Sequence, residues 1–198
     1  MLEHQQPESA TSDPTSSSQD NGPVIETARL RLRRHRLSDL EARIPITVDP
    51  VFMRFVGGVY DRQENWARLL RYIGHWTALG YGLFAIEEKA SGRYVGDVGL
   101  AQFERGLGED FDTAPEGAWM IAQWASGMGY ASEGMQAAID WHARAFGEAR
   151  TVCIIDPANE ASLRVAAKMG FVPYRKGLNR GHPVLLHERI PPLPLRGD

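Results

Sequence analysis

The chain has few of the residues on which several protein classes depend. It contains one cysteine, Cys153, and has no apolar run long enough to cross a membrane. A single cysteine excludes an internal disulfide, and its apolar neighbours favour a buried core thiol over a reactive one. The N-terminus has neither the basic start nor the apolar segment of a secretory signal, and the six histidines show no metal-ligand spacing. We therefore expect a cytoplasmic protein that uses no metal.

The chain also has no excess of basic over acidic residues. Residues 1–22 contain four acids and no Lys or Arg, which leaves 21 of the 25 acids to balance all 22 bases in the rest of the chain. This near balance argues against nucleic acid or a membrane surface as a partner. The Ser-, Thr- and Gln-rich composition of residues 1–22 predicts a flexible acidic tail. Residues 23–198 then have a length that suits one α/β domain.

The first half of the domain predicts a strand and two helices. Leucine and arginine alternate over Arg29–Arg33, which indicates a half-buried strand. Ser38 and Glu41 have the spacing of a capping box that opens a short helix. A longer helix between residues 62 and 78 is predicted to end at Gly80. Its predicted buried face comprises Trp66, Leu69, Leu70, Ile73 and Thr77.

The second half predicts strands and helices in alternation around one mixed sheet. A hairpin joins strands over residues 81–87 and 93–103, and an acidic loop over residues 104–115 follows. The remaining predicted elements are the strand Glu116–Ile121, a helix from Tyr130 to Ala145, the strand Thr151–Ile155, a helix from Asn159 to Lys168, and short strands over residues 171–174 and 184–186.

The chemistry-bearing segments flank the predicted strand Thr151–Ile155. The first, residues 121–131, reads IAQWASGMGYA, a strand that runs through two glycines into a helix. Glycines and a helix N-terminus together can present several N–H groups to a diphosphate, although an ordinary turn has the same pattern. The second, residues 159–171, reads NEASLRVAAKMGF. Asn159 can cap this helix, and Ser162 and Ala166 share one face of it.

Together these segments resemble the GNAT superfamily of N-acetyltransferases, and within it the branch of the ribosomal-protein N-terminal acetyltransferases. Thr27–Arg33 reads TARLRLR, similar to the strand that opens that branch. Gly127–Glu133 reads GMGYASE and is similar to the family's glycine loop, and Asn159–Phe171 is similar to its third signature. The resemblance covers roughly residues 25–190. It implies a mixed, mostly antiparallel sheet whose central parallel strand pair splays apart, with helices on both sides.

The resemblance also implies where acetyl-CoA would bind as co-substrate. Backbone groups near Met120 and Ile121 would pair with the pantetheine amides, and one of these N–H groups could polarise the thioester carbonyl. Asn159 would bind the pantetheine arm, and Arg164 could reach a phosphate. The pyrophosphate would lie on Ser126, Gly127, Met128, Gly129, Tyr130 and Ala131.

The predicted catalytic groups are Ser162 and Glu116. Many GNAT enzymes have a Tyr at the position of Ala166 that protonates the leaving thiolate, and here Ser162 would take that role by resemblance. Glu116 is the candidate base, because it starts the strand beside the cofactor and shares a face with Ala118 and Met120, although a strand-end carboxylate that faces water has the same position. Asp97 and Asp112 are weaker candidates.

The implied function is direct transfer of an acetyl group from acetyl-CoA to a primary amine, on a protein N-terminus or a small molecule. The acidic residues Glu109, Asp110, Asp112 and Glu116 could attract a cationic amine, although a solvated loop has the same composition. A non-catalytic acyl-CoA sensor or scaffold and a different phosphate-binding α/β protein are the alternatives. A homodimer is allowed but not specified.

Overall fold

A single sheet organises the computed structural model, which describes residues 22–191. Its eight described strands lie in the order β1-β2-β3-β4-β5-β6-β8-β7, and neighbours are antiparallel except β5 and β6, which run parallel. This is the predicted mixed sheet with a central parallel pair. The predicted tail lies outside the described residues, except for Gly22. The strands are β1 (Ile25–Glu26), β2 (Leu30–Arg33), β3 (Leu83–Glu88), β4 (Tyr94–Ala101), β5 (Glu116–Ile121), β6 (Thr151–Ile155), β7 (Val172–Asn179) and β8 (His182–Arg189).

Helices cover both faces of this sheet. Val98 on β4 lies against Gly134 of α5, whereas Asp97, one residue earlier, contacts Arg43 of α1. Because successive side chains on a strand point to opposite faces, α1 and α5 lie on opposite sides. No helix within residues 22–191 is long and apolar enough to cross a bilayer. The helices are α1 (Leu40–Thr47), α2 (Pro50–Met53), α3 (Arg62–Leu79), α4 (Glu109–Asp112), α5 (Tyr130–Phe146) and α6 (Glu160–Lys168).

The main core lies between the sheet and α5. Met135, Ala138 and Ile139 recur at helical spacing and are almost fully buried against Leu30 and Val98. A side chain at Gly134 would come within 3.0 Å of Val98, so glycine allows α5 to approach the sheet closely. The helix therefore lies tightly against β2 and β4.

The structure corrects three local predictions. Ser38 and Glu41 form no capping box, because Asp39 accepts the hydrogen bond from the Arg36 N–H and Glu41 pairs with Arg62. The buried face of α3 consists of Asn65, Leu69, Tyr72 and Trp76, whereas Trp66 and Leu70 are about two-fifths exposed. Asn65 and Trp76 enter that face through hydrogen bonds that hydrophobicity does not reveal. The last two strands are eight residues each, twice the length or more that was predicted.

Candidate active site

The parallel strands β5 and β6 separate soon after they meet. They pair at one position, Glu116 opposite Val152, where the Val152 N–H donates to the Pro115 carbonyl over 3.0 Å. Beyond it β5 continues to Ile121 without a parallel partner, so a wedge opens toward the C-terminal ends of both strands. Five residues of strand span about 17 Å, so the wedge has room for an extended ligand arm.

Backbone alternation decides which groups face the wedge. The Ala122 N–H donates to Val95 on β4, so the even-numbered residues of β5 bond to β4 and the odd-numbered ones face β6. The N–H and C=O groups of Trp119 and Ile121 therefore point into the wedge. The predicted site residue Ile121 lies there as expected, whereas the backbone of Met120 bonds toward β4.

The loop from β5 to α5 adds donors at the open end of the wedge. Gly127 and Gly129 have φ angles of 79° and 81°, in the left-handed region where glycine is favoured. Residues Ser126 to Gly129 are exposed, and Tyr130 begins the 17-residue helix α5. The first-turn N–H groups of this helix, including that of Ala131, have no partner within the helix, so the loop can bind an anion.

One carboxylate ties the loop to the start of the sheet. Glu133 on α5 accepts hydrogen bonds from the Thr27 hydroxyl over 2.6 Å and from the Arg29 Nε over 2.7 Å. The Arg29 guanidinium also donates to the Met128 carbonyl over 2.9 Å and lies 4.5 Å from the centre of the Tyr130 ring. Two segments about 100 residues apart in the chain thus hold the loop in place.

The N-terminus of α6 lies across the wedge from β5. Asn159 caps the helix, because its side-chain oxygen accepts the Ser162 N–H over 3.1 Å. The Trp119 indole donates to the Ser162 hydroxyl over 3.3 Å, so this hydroxyl bridges toward the splayed strand. Ala166 is buried in the core, and Arg164 faces solvent beside Glu160 with 72% of its side chain exposed.

Glu116 lies at the closed end of the wedge, on the face covered by α3. Its side chain is 4% exposed, and both oxygens accept from the Arg105 Nε, at 2.9 and 2.6 Å. Burial raises the pKa of Glu116 above its ordinary value, and Arg105 offsets part of that rise. A buried carboxylate with a raised pKa is a candidate for proton transfer.

The two weaker candidates have structural partners. Asp97 accepts from His35, Arg43 and Tyr94 and is 1% exposed. Burial alone would raise the pKa of Asp97, but Arg43 and His35 outweigh it and keep that pKa well below its ordinary value. Asp112 accepts the N–H groups of Arg105 and Gly108 and holds the loop before β5.

The acidic loop presents little free negative charge to an acceptor. Asp110 pairs with Arg175 and accepts from the Tyr174 hydroxyl, in addition to the engagement of Asp112 and Glu116 already described. The side chain of Glu109 alone carries no hydrogen bond or ion pair among the described residues. A solvated and internally paired loop is the interpretation that the contacts support.

Two contributors to the site were missed from the sequence. Trp119 falls on the strand face opposite Glu116, and strand alternation combined with the position of Ser162 could have indicated it. Arg105 lies in an irregular loop, where no periodicity points to a partner. Its contact with Glu116, eleven residues away, forms only in the folded chain and has no local sequence signal. Cys153 is 1% exposed and burial raises its pKa well above the ordinary value, as expected of a core thiol.

Comparisons with known proteins identify the family to which this fold belongs. The model of the acetyltransferase (GNAT) domain matches residues 29–172, so the chain belongs to the GNAT acetyltransferase family and is an acyltransferase. A relative in Bacillus subtilis strain 168, the uncharacterized protein YkkB, is 31% identical over 176 residues, which cover 83% of this chain and 94% of that protein.

Solved structures show the same architecture. A Bordetella pertussis structure assigned to the GNAT family is 32% identical, covers 84% of this chain and 99% of its own, and superimposes with a TM-score of 0.76. RimL, a ribosomal-protein α-N-acetyltransferase solved with coenzyme A, covers 85% of this chain and 98% of its own with a TM-score of 0.68. At 19% identity, the likeness to RimL shows the fold alone.

Proposed function

We propose that this protein transfers an acetyl group from acetyl-CoA directly to a primary amine. The observation that carries the proposal is the wedge between β5 and β6, with an anion-binding glycine loop at its open end and a buried carboxylate at its closed end. A coenzyme A pyrophosphate on the loop would send the pantetheine arm back along β5. The complex of the neighbour RimL with coenzyme A supports this choice of ligand.

In this arrangement the backbone groups of Trp119 and Ile121 pair with the pantetheine amides like a missing strand. The Asn159 side-chain nitrogen is available to donate to the arm, because only its oxygen caps α6. Gly127 to Ala131 bind the pyrophosphate through backbone N–H groups and the positive end of α5. A solvent-facing Arg164 can add only a peripheral phosphate contact.

The chemical step forms a bond between the amine nitrogen and the acetyl carbon and breaks the bond to sulfur. The N–H of Trp119, the wedge-facing residue nearer the closed end, polarises the thioester carbonyl, and its C=O and the groups of Ile121 pair with the pantetheine amides. Ser162 donates its hydroxyl proton to the departing thiolate and regains a proton from water, while the Trp119 indole donates to its oxygen. Glu116 accepts the amine proton, directly or through water, and its raised pKa suits that exchange.

The thiol content of the chain supports direct transfer over a covalent thioester intermediate. A covalent acetyl-enzyme on sulfur needs a reactive thiol, and the chain's one cysteine, Cys153, is buried with a raised pKa. The acceptor class is a protein N-terminus or a small amine. The RimL neighbour, described as acting on a ribosomal protein, supports the first of these.

Release of free thiol from acetyl-CoA in the presence of an amine panel tests the proposal. Ser162→Ala should lower kcat about 100-fold, the low end for a general acid, because a thiol with a pKa near about 8.5 leaves readily. Ser91→Ala, in the exposed turn between β3 and β4, is the control and should keep the wild-type rate. Binding of coenzyme A without thiol release on any amine would instead support a non-catalytic sensor.

A further inference from the structure

Four arginines gather on the α3 side of Glu116, and we call them the arginine cluster: Arg68, Arg71, Arg105 and Arg180. The Arg68 guanidinium lies 3.7 Å from the centre of the Tyr60 ring. Arg71 and Arg105 lie 5.4 and 4.8 Å from the centre of the Phe103 ring. Aromatic faces thus hold three of the four guanidinium groups in position.

The cluster carries uncompensated positive charge. Arg105 pairs with Glu116, but within residues 22–191 no carboxylate lies at ion-pair distance from Arg68, Arg71 or Arg180. Burial lowers the pKa of Arg71, and the neighbouring Arg68 and Arg105 lower it further. Burial raises the pKa of Tyr60, and the charges of Arg68, Arg180 and Arg71 offset part of that rise.

The position of the cluster connects it to the wedge. Phe103 and Ala118 both pack against the buried cluster of Tyr72, Leu83 and Ala101, and Ala118 is the β5 residue that follows Glu116 on the same face. The arginines therefore border the approach to the closed end of the wedge, where the amine must meet the thioester.

We propose that the arginine cluster is the acceptor-specificity site and binds a carboxylate that lies close to the reacting amine. The proposal rests on the proposed acetyl transfer and names the class of its substrate. Arginine binds carboxylates through two parallel hydrogen bonds, and three of the four arginines have no acid with which to form them. The carboxylate can be the α-carboxyl of a free amino acid or an acidic side chain near a peptide N-terminus.

The same charges select against polycations. A polyamine or an aminoglycoside would bring two or more ammonium groups beside the unpaired arginines, and such like-charge contacts are unfavourable. A cationic surrounding also favours the neutral form of an incoming amine, which is the form that attacks the thioester. An anionic acceptor is thus both attracted and kept reactive.

Paired acceptors test the proposal. Alanine against alaninamide examines a free carboxyl, and Ser-Asp-Ala-amide against Ser-Asn-Ala-amide examines a side chain. A charge-assisted hydrogen-bond pair predicts a kcat/KM at least about tenfold higher for the carboxylate member of one pair. Arg71→Gln should reduce this ratio of kcat/KM values to about threefold or less. Arg71→Lys should restore part of the ratio, because lysine returns the positive charge but cannot form the two parallel hydrogen bonds of a guanidinium.

The control is Arg62→Gln, an exposed arginine on the same helix that pairs with Glu41 and lies outside the cluster. This variant should keep the wild-type ratio. Equal rates within both pairs, or faster turnover of a polyamine such as spermidine, would overturn the inference while leaving acetyl transfer intact.

Direct binding separates this inference from the proposed function. N-acetyl-Ser-Asp-Ala-amide has no free amine, so its affinity for the coenzyme A-loaded protein can be measured by calorimetry without turnover. Binding that weakens about tenfold in Arg71→Gln supports the carboxylate site even if no amine is acetylated, an outcome that would reject only acetyl transfer. Affinity that is the same in both proteins, or the same for the Asn peptide, rejects the carboxylate site.

Discussion

The two sides of the wedge are built in different ways. The cofactor side consists mostly of backbone: the N–H groups of the glycine loop, the wedge-facing groups of β5 and the capped start of α6. The acceptor side consists of side chains from distant segments, which include Glu116, Arg105 and the rest of the arginine cluster. Backbone donors suit a ligand that does not change, whereas side chains can change with the acceptor. Each prediction below breaks or sharpens this contrast.

The largest expected effect is on the acceptor side, at the candidate base. Glu116→Gln should lower kcat about 10²- to 10⁴-fold, because the amide cannot take the amine proton. The wild-type rate should rise with pH through the raised pKa of Glu116, and the variant should lose that limb of the profile. Glu109→Gln, an exposed change on α4 just before β5, should change neither kcat nor the pH profile. A kcat within threefold of wild type and an unchanged pH profile in Glu116→Gln would remove the base assignment.

The buried cluster around Asp97 should give the next largest effect, on stability. Asp97→Asn breaks a fully buried ion pair with Arg43 and should cost about 3–5 kcal/mol of unfolding free energy in urea at pH 7. Because the folded-state pKa of Asp97 is depressed, its contribution is present above the unfolded pKa of about 3.9 and disappears as pH falls below it.

The difference between wild type and Asp97→Asn should therefore shrink only in acid. Asp140→Asn, an exposed position on α5, should stay within about 0.5 kcal/mol of wild type and serves as the control. A constant difference from pH 7 down to pH 2 would contradict the depressed pKa.

On the cofactor side, Gly129→Val should weaken coenzyme A binding about 10- to 100-fold by calorimetry. A β-branched residue at a φ of 81° costs about 1–3 kcal/mol or displaces the loop N–H groups. Gly92→Val is a matched control, because Gly92 has a φ of 70° in the turn between β3 and β4, away from the wedge. Equal affinity in the two variants would mean that the loop does not hold the pyrophosphate.

The smallest effect should come from the hydrogen bond between Thr27, before β2, and Glu133 on α5. Thr27→Val removes the hydroxyl that donates to Glu133 and should lower the unfolding free energy by about 1–2 kcal/mol. The affinity for coenzyme A should stay within about twofold, because the Arg29 contacts with Glu133 and Met128 remain. A tenfold loss of affinity would show that the tie also sets the loop geometry required for binding.

Local pattern predicted much of the fold. The strands Glu116–Ile121 and Thr151–Ile155 begin and end where apolar content and flanking turns indicated, and α5 and α6 begin at their predicted caps or one residue away. The prediction of the buried face of α3 was wrong, because Asn65 and Trp76 are buried where they donate hydrogen bonds to the carbonyls of Asp61 and Leu83. Such bonds depend on partners that hydrophobic periodicity does not include.

The sequence by itself determined the glycine loop and the capped start of α6 on the proposed cofactor side, because glycines, a helix start and a helix cap act through the backbone within a few residues of one another. Only the tertiary structure decided the acceptor side. The wedge exists because β5 and β6 part after Glu116, and Arg105 and Arg71 come together over Phe103 from a loop and a helix. These arginines are distant in the sequence and become neighbours only when the chain folds. No local stretch of the sequence therefore shows that they form one positively charged site.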